Sequence, residues 1–150
     1  MSHTYSSCLI HFVFSTKERI RTITPDIQKE LYPYIGGIAR NNGMRALAVG
    51  GAIDHVHILA TIPATISISK AAQLFKGNSS RWIKQRFPQK RLFEWQEGYG
   101  AFSVGISQKD VTVRYIDMQM KHHEKRNFQS EFIAFLKKHH IEYDERYVWG

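Results

Sequence analysis

The sequence has few of the features that mark secreted, membrane-spanning or disordered proteins. Cys8 is its single cysteine, so no disulfide can form within the chain and a cytoplasmic location is favoured. It has no run of eighteen apolar residues and no charged-then-apolar leader, so we expect no contact with a membrane. No repeat, low-complexity segment or linker interrupts it, and we predict a single domain over residues 1–150.

Acidic residues are scarce relative to basic ones. The chain has 13 Asp and Glu against 21 Lys and Arg, a formal net charge of +8 and a pI near 9.7. An excess this large in a small domain favours a polyanionic partner, most often nucleic acid. A hydrophobic content of 43% and an aromatic content of 13% predict a packed core rather than a disordered chain.

The order of hydrophobic patterns is typical of an α+β sandwich. Alternation predicts strands over 5–15, 45–49, 53–62 and 100–106, with a tight turn or bulge at Gly50-Gly51. Helical spacing predicts helices over 24–41, 67–87 (broken near Gly77-Asn78), 109–124, and from 130 onward. This βαββαβ order predicts a ferredoxin- or RRM-like sandwich, a four-stranded antiparallel sheet covered by helices and followed by a C-terminal helix.

The segment Asp54–Leu59 carries the clearest chemical signal. Side chains alternate along a strand, so His55 and His57 share one face while Val56 and Ile58 face the core on the other. Imidazoles two residues apart can converge on one metal ion, because imidazole is a common ligand for first-row divalent metals. In the first strand, His11 is flanked by apolar residues. This position is equally consistent with a histidine of the core and with a functional histidine.

The predicted third helix carries a narrow polar stripe apart from its apolar side. Tyr115 and Gln119 are four residues apart and therefore neighbours on one helix face, and His122 continues the same stripe. Surface exposure alone would explain these residues. Because they lie downstream of a His-x-His strand, the alternative that they form one site together with His55 and His57 stays open.

Basic residues concentrate in the second predicted helix and in the loop after the first strand. Their uniform sign favours a surface that binds phosphates, although a solvated helix face is an equal alternative. Trp95 and Tyr99 follow in a loop, where exposed rings could stack on unpaired bases or else pack into the core. The residues predicted to contact DNA are Lys17, Arg19, Lys76, Arg81 and Lys84.

Taken together, these motifs resemble the short single-tyrosine HUH transposases of bacterial insertion sequences, the IS200-like type. The His-hydrophobic-His strand alone is common, but followed by Gly-Tyr-Gly-Ala-Phe-Ser and a Tyr-x-x-x-Gln helix it is specific. The resemblance covers most of the chain and is weakest after Asn127. It is carried by the segments 11–17, 54–59, 75–77, 98–104 and 115–123.

The resemblance implies a transposase that cuts and rejoins single-stranded DNA through a 5′-phosphotyrosine intermediate. It assigns Tyr115 as the nucleophile and His55, His57 and Gln119 as ligands of a divalent metal, Mg²⁺ or Mn²⁺. Spacing alone adds His122 as a weaker catalytic contributor. The implied substrate is DNA with a hairpin at each element end, and the implied assembly is a homodimer in which the tyrosine helix can serve the other subunit.

Two other functions remain open from the sequence. Another HUH endonuclease, such as a rolling-circle replication initiator or a domesticated transposase acting on genomic hairpin repeats, would share the His strand and a downstream tyrosine. A non-catalytic module binding single-stranded nucleic acid would explain the charge and the aromatic residues. It would leave the histidine pair, Tyr115 and Gln119 as coincidence.

Overall fold

The computed structural model describes residues 3–119 and 127–149. Short 3-10 turns at Lys17–Arg19, Pro88–Lys90 and Ile106–Gln108 lie between the main elements. In chain order those elements are β1 Leu9–Ser15, α1 Pro25–Asn41, β2 Arg45–Ala52, β3 His55–Thr61, α2 Ile68–Arg86, β4 Gly100–Val104, α3 Lys109–Asp117 and α4 Phe128–Lys138.

The strands form one antiparallel sheet in the order β2-β3-β1-β4. With α1 and α2 as the two crossovers, this is the predicted βαββαβ arrangement, and the expected fold class is confirmed. β1 is central, and its register with β3 places Val13 opposite His57 and Ser15 opposite His55. The first strand begins at Leu9 rather than Tyr5, since pairing with both neighbouring strands starts there.

Helices cover both faces of the sheet. On one face Phe12, Phe14 and Ile58 belong to the main core, together with buried residues of α1 and α2. On the other face Val13 packs beneath α4, while Leu59 packs against Ile116 of α3. His55 and His57 lie on this second face and are fully buried, so the histidine face of β3 is enclosed rather than open.

The prediction of a turn at Gly50-Gly51 is wrong. β2 continues through Ala52, and the chain reverses between Ala52 and His55. A Cβ at Gly50 would lie 2.5 Å from the main-chain oxygen of Ile116, so glycine is required here because α3 packs directly on the β2 backbone. Gly50 therefore allows close packing of α3 on the sheet, whereas a Cβ at Gly51 would clash with the His55 main-chain oxygen of the adjacent strand.

The predicted break in the second helix is also absent. α2 runs without interruption from Ile68 to Arg86, and the Asn78 side-chain amide donates to the Leu74 carbonyl oxygen at 2.9 Å. Tertiary packing explains the continuity, because Phe75 and Ser79 are fully buried on either side of Gly77. Packing that holds both flanking turns offsets the weak helix propensity of a single glycine.

Trp95 belongs to the core and not to an exposed stacking surface. It is 7% exposed, its ring lies 4.8 Å from that of Phe14, and its indole N–H donates to Ser79 Oγ at 2.9 Å. That hydrogen bond satisfies the polar group of a buried tryptophan, which is what allows the ring to be enclosed. The base-stacking alternative therefore does not apply to Trp95.

The C-terminal boundaries differ from prediction by a few residues. β4 ends at Val104 rather than Ile106, and α4 begins at Phe128 because Asn127 caps it, accepting from the Ser130 amide at 2.9 Å. α3 extends over Lys109–Asp117. The rest of the predicted third helix, His122 included, is outside the described residues.

No helix within residues 3–119 and 127–149 is long and apolar enough to cross a membrane.

Candidate functional site

Two histidines of β3 and one glutamate of α4 converge between the sheet and the helices. His57 Nε2 lies 2.9 Å and His55 Nε2 lies 3.7 Å from the same Glu131 carboxylate oxygen, Oε1. One ligand atom from each of the three residues lies within 4.8 Å of the others, and all three side chains are buried. Alternation along β3 puts both imidazoles on this side of the sheet, as the sequence predicted.

Neighbouring side chains fix the orientation of both imidazoles. His55 Nδ1 lies 2.7 Å from Asp54 Oδ1, and His57 Nδ1 lies 2.7 Å from His11 Nε2. A carboxylate can only accept, so His55 donates through Nδ1 to Asp54. Burial lowers the pKa of His11 well below its usual value, so His11 is neutral and can accept from His57 Nδ1. We therefore assign Nε2 of both His55 and His57 as the atoms that face Glu131.

Tyr115 and Gln119 reach the same place from α3 and the residues that follow it. The Tyr115 hydroxyl donates to Glu131 Oε2, and its ring centroid lies 5.8 Å from that of His57. Gln119 Oε1 lies 3.2 Å from His55 Nε2, while its amide nitrogen donates to the Tyr115 carbonyl oxygen at 3.3 Å. The structure thus brings together His55, His57, Tyr115 and Gln119, four of the residues selected from the sequence.

The donor atoms in this cluster fit a divalent cation. With both Nδ1 atoms engaged as donors, the Nε2 lone pairs, the Gln119 carbonyl oxygen and the Glu131 carboxylate face a common space. Acceptors this close repel one another unless a proton or a cation lies between them. Two imidazoles with amide and carboxylate oxygens form the mixed nitrogen and oxygen set that first-row divalent metals accept.

Sequence reasoning missed Glu131, although a signal was present. Glu131 lies three residues after Phe128 and four before Phe135, so it sits on the same side of α4 as these aromatic residues. An acidic residue within an apolar stripe is rarely buried without a partner. Glu131 is 2% exposed and is held there by the packing of Phe128 and Phe132, whose rings stack at 5.5 Å.

Three of the five predicted DNA-contacting residues line a shallow depression of about 310 Å³ beside α2. These are Lys17, Lys76 and Lys84. Lys17 pairs with Glu94 at 3.1 Å across solvent-exposed side chains. Lys76 donates to the carbonyl oxygens of Glu97 and Gly98, and partial burial lowers its pKa. Lys76 therefore holds the loop before β4, while Lys84 is exposed to solvent.

The other two predicted DNA contacts lie apart from that depression. The Arg19 guanidinium sits over the ring of Trp149, 5.6 Å from its centroid. Arg81 is exposed on α2. Since α2 packs on the sheet face opposite the histidines, Arg81 and Lys84 lie on the other side of the sheet from the buried cluster, whereas Arg19 contacts Trp149 on the side of α4.

Comparisons with solved structures show the same fold. A crystal structure of a transposase from Deinococcus radiodurans superposes with a TM-score of 0.66 at 22% identity, covering 79% of this chain and 95% of that one. A REP-associated tyrosine transposase bound to a REP hairpin superposes with a TM-score of 0.60 at 15% identity, covering 82% of this chain and 73% of that one.

Sequence comparisons give the same relationship. The transposase for insertion sequence element IS200 of Salmonella typhimurium is 27% identical over 111 residues, 70% of this chain and 72% of that protein. The ISDra2 transposase TnpA of Deinococcus radiodurans is 24% identical over 114 residues, 73% of this chain and 81% of that protein. The family model described as "Transposase IS200 like" matches residues 4–119, which excludes Glu131. The chain belongs to the IS200-like transposase family.

Proposed function

We propose that this protein cuts and rejoins single-stranded DNA at insertion-sequence ends through a 5′-phosphotyrosine intermediate on Tyr115. One observation carries the proposal. The Tyr115 hydroxyl and the Nε2 atoms of His55 and His57 meet at a single carboxylate, that of Glu131. A nucleophile and a set of metal-ligating atoms are therefore within reach of one phosphate group.

Tyr115 would attack the scissile phosphorus through its phenol oxygen. A bond forms between phosphorus and the tyrosine oxygen, the bond from phosphorus to the 3′ oxygen breaks, and that strand leaves with a 3′-hydroxyl. A phenol has an ordinary pKa of about 10, so its proton must be removed near neutral pH. Glu131 Oε2 already accepts the hydrogen bond of this hydroxyl and is placed to take the proton.

Rejoining reverses these steps. The 3′-hydroxyl of another strand attacks the phosphotyrosine, and the tyrosine oxygen leaves and recovers its proton. The linkage keeps the energy of the original phosphodiester, so no nucleotide cofactor is needed. Contacts on two sides position the partly buried Tyr115 ring, which lies 5.8 Å from that of His57 and 5.9 Å from that of Phe135 in α4.

The ligands of a divalent metal would be His55, His57 and Gln119, as the resemblance implies, with Glu131 added by its position. Such an ion supplies positive charge to a non-bridging phosphate oxygen and aligns the phosphate for attack. Mg²⁺ and Mn²⁺ both accept this set, and Mn²⁺ suits the two imidazoles better. Asp54 and His11 would keep the ligating nitrogens oriented.

The proposed substrate is single-stranded DNA that carries a hairpin at the element end. Support comes from the net charge of +8, and a fold neighbour is described as bound to a REP hairpin. Lys17 is well placed to hold the backbone near the cluster, because β1 ends just before it with Ser15 paired to His55. Lys84 and Arg81 would contact the duplex part from α2, with Arg19 and Lys76 nearer the loops.

A homodimer remains the expected assembly. Within one chain, Tyr115 contacts the Glu131 carboxylate and lies beside His57, which supports a nucleophile that acts in cis. We therefore propose that cleavage needs no tyrosine from a second subunit.

His122 keeps its predicted role as a contributor to catalysis. If His122→Ala cleaved DNA as well as wild type between pH 6 and 9, that role would be rejected.

A covalent-adduct assay tests the proposed function. The protein is mixed with labelled single-stranded DNA from the ends of its element and Mn²⁺, and adducts are resolved on a denaturing gel. We expect an adduct that disappears with Tyr115→Phe or with chelator. An adduct that survives Tyr115→Phe would move the nucleophile elsewhere, and tight binding without any adduct would favour the non-catalytic module. Excision and rejoining of element ends, rather than simple nicking, separates a transposase from a replication initiator.

A further inference from the structure

A pocket of about 390 Å³ opens between β4, α3 and α4. Tyr115 lines it, and so do Glu131 and His11, which are almost fully buried members of the site described above. The pocket therefore connects the surface to the place where the Tyr115 hydroxyl meets Glu131. Its size is at the lower end of the roughly 300–1,000 Å³ typical of small-ligand pockets.

Flat apolar surfaces form the walls of the pocket. Phe102 and Phe135 stack with ring centroids 5.2 Å apart, and Phe135 is half-buried. Val111 of α3 stands across from α4 with 51% of its surface exposed, and Ala134 completes the α4 wall. A planar aromatic ring is the kind of ligand that such walls accommodate, by stacking and by apolar contact.

Polar and positive groups surround these walls. Ser103, Gln108 and Thr112 offer hydroxyl and amide groups among the lining residues, and Lys138 adds an exposed ammonium. His139 stacks on Phe102 at 4.9 Å, and burial together with the charge of Lys138 lowers its pKa. Near neutral pH its ring is uncharged and can both donate and accept a hydrogen bond.

We propose that this pocket binds one unpaired nucleobase of the strand that Tyr115 cleaves, from a nucleotide next to the scissile phosphate. The inference rests on the proposed function. A phosphate held at the Tyr115 hydroxyl leaves its neighbouring nucleoside at the pocket, where the aromatic wall accepts the base and Lys138 faces the backbone. Hydrogen bonds from Ser103, Gln108 and the His139 ring would select among bases, so the pocket sets the preferred nucleotide at that position.

Filling the pocket tests the proposal. Ala134→Trp fills it from α4 and Val111→Trp fills it from α3, and neither residue belongs to the metal-ligand set. Ser130→Trp is the matched control, because it adds the same side chain to an exposed position of α4 that does not line the pocket. Equal Mn²⁺ affinity and equal melting temperature among the variants would show that the fold and the buried cluster are preserved.

The first measurement uses a randomised pool of single-stranded oligonucleotides joined to an element-end hairpin. DNA captured as covalent adduct is sequenced. We expect wild type and Ser130→Trp to show a base preference on one side of the cleaved bond. Ala134→Trp and Val111→Trp should lose that preference, and their yield of covalent adduct should fall by about tenfold or more. An unchanged preference and yield in both filled variants would overturn the pocket assignment while leaving Tyr115 cleavage intact.

A second measurement needs no cleavage and separates the two proposals. Tyr115→Phe is titrated into a single-stranded thymidine oligonucleotide that contains one 2-aminopurine, whose fluorescence falls when the base stacks on an aromatic side chain. Quenching that is lost in the Ala134→Trp background and kept with Ser130→Trp supports the pocket even if wild type forms no adduct. Equal quenching in both backgrounds, or none in either, rejects it.

Discussion

His11 Nε2 and His57 Nδ1 lie 2.7 Å apart across the β1–β3 pair, with both rings buried beneath α3 and α4. The register places Val13 opposite His57, so His11 is the same-face diagonal neighbour. This contact leaves His57 Nε2 directed at Glu131 and so links the central strand to the proposed metal ligands.

Replacing His11 should weaken metal binding without touching a ligand. His11→Leu removes the acceptor for His57 Nδ1, and we expect Mn²⁺ affinity to fall about 10–100-fold, as for other partners of metal-bound histidines. Isothermal titration calorimetry of the DNA-free protein measures this. His11→Gln keeps an acceptor and should recover part of the affinity. Equal Mn²⁺ affinity in wild type and His11→Leu would contradict the role.

Glu131→Gln should impair both metal binding and cleavage. The amide has the size of the carboxylate but no charge, so it binds the metal less tightly and cannot take the proton of Tyr115. We expect adduct formation to slow about 100-fold, the lower range for loss of a general base. Glu142→Gln, an exposed acid in the same region, is the control. A Glu131→Gln protein with normal adduct formation would place the proton elsewhere.

Mixing two inactive variants tests whether the site is assembled within one chain. Tyr115→Phe lacks the proposed nucleophile and His57→Ala lacks a proposed metal ligand, and the two rings lie 5.8 Å apart within one chain. We expect the mixture to form no adduct above the level of each variant alone. Recovery of adduct in the mixture, with the label on the His57→Ala chain, would show that the tyrosine acts in trans.

Gly50→Ala should disturb the position of Tyr115 from the opposite side of α3. The new methyl would lie 2.5 Å from the Ile116 carbonyl oxygen, so the helix must shift beside its tyrosine. We expect a loss of about 1–3 kcal/mol in the free energy of unfolding, as for overpacked sites, together with slower adduct formation. Urea unfolding and the gel assay measure the two effects.

Gly77→Ala provides the matched comparison for Gly50→Ala. Nothing lies within 4 Å of a Cβ at Gly77, which is inside α2. Alanine has the higher helix propensity, so this variant should gain about 0.5–1 kcal/mol in the free energy of unfolding and cleave normally. If both glycine variants behaved alike, close packing of α3 on β2 would not explain the effect.

Lys84→Ala tests the proposed backbone contacts on α2. Removing one phosphate contact should weaken binding of hairpin DNA to a similar extent for every sequence. The slope of log affinity against log salt should fall in magnitude by about 1. Lys29→Ala, an exposed position on α1, controls for net charge. Identical salt slopes for the two variants would remove Lys84 from the interface.

Local patterns were sufficient where a signal repeats along one element. Alternation placed His55 and His57 on a common face of β3, and four-residue spacing placed Tyr115 and Gln119 on one side of a helical segment. The order of strands and helices gave the sheet topology, because connections of this length and type allow few arrangements.

Tertiary contacts decided what local patterns could not. Packing of α4 brings Glu131 to the histidines, although it is 74 residues from His57 in the sequence. No pattern in the sequence around His57 predicts this contact. The predicted break at Gly77 was wrong, and the choice between stacking and core packing for Trp95 stayed open, for a related reason. The glycine stays helical and the tryptophan becomes buried because α2 and the loop before β4 pack together at Ser79.

The central place of β1 also has a consequence for the time course of folding. Its partners β3 and β4 are far along the chain, and α4 follows both, so the site is built from contacts of long sequence separation. Such contacts are entropically costly to close and form slowly. During synthesis, Glu131, whose carboxylate contacts Tyr115 and both histidines, emerges after the entire sheet. A nascent chain therefore gains the complete cluster only as one of its last folding events.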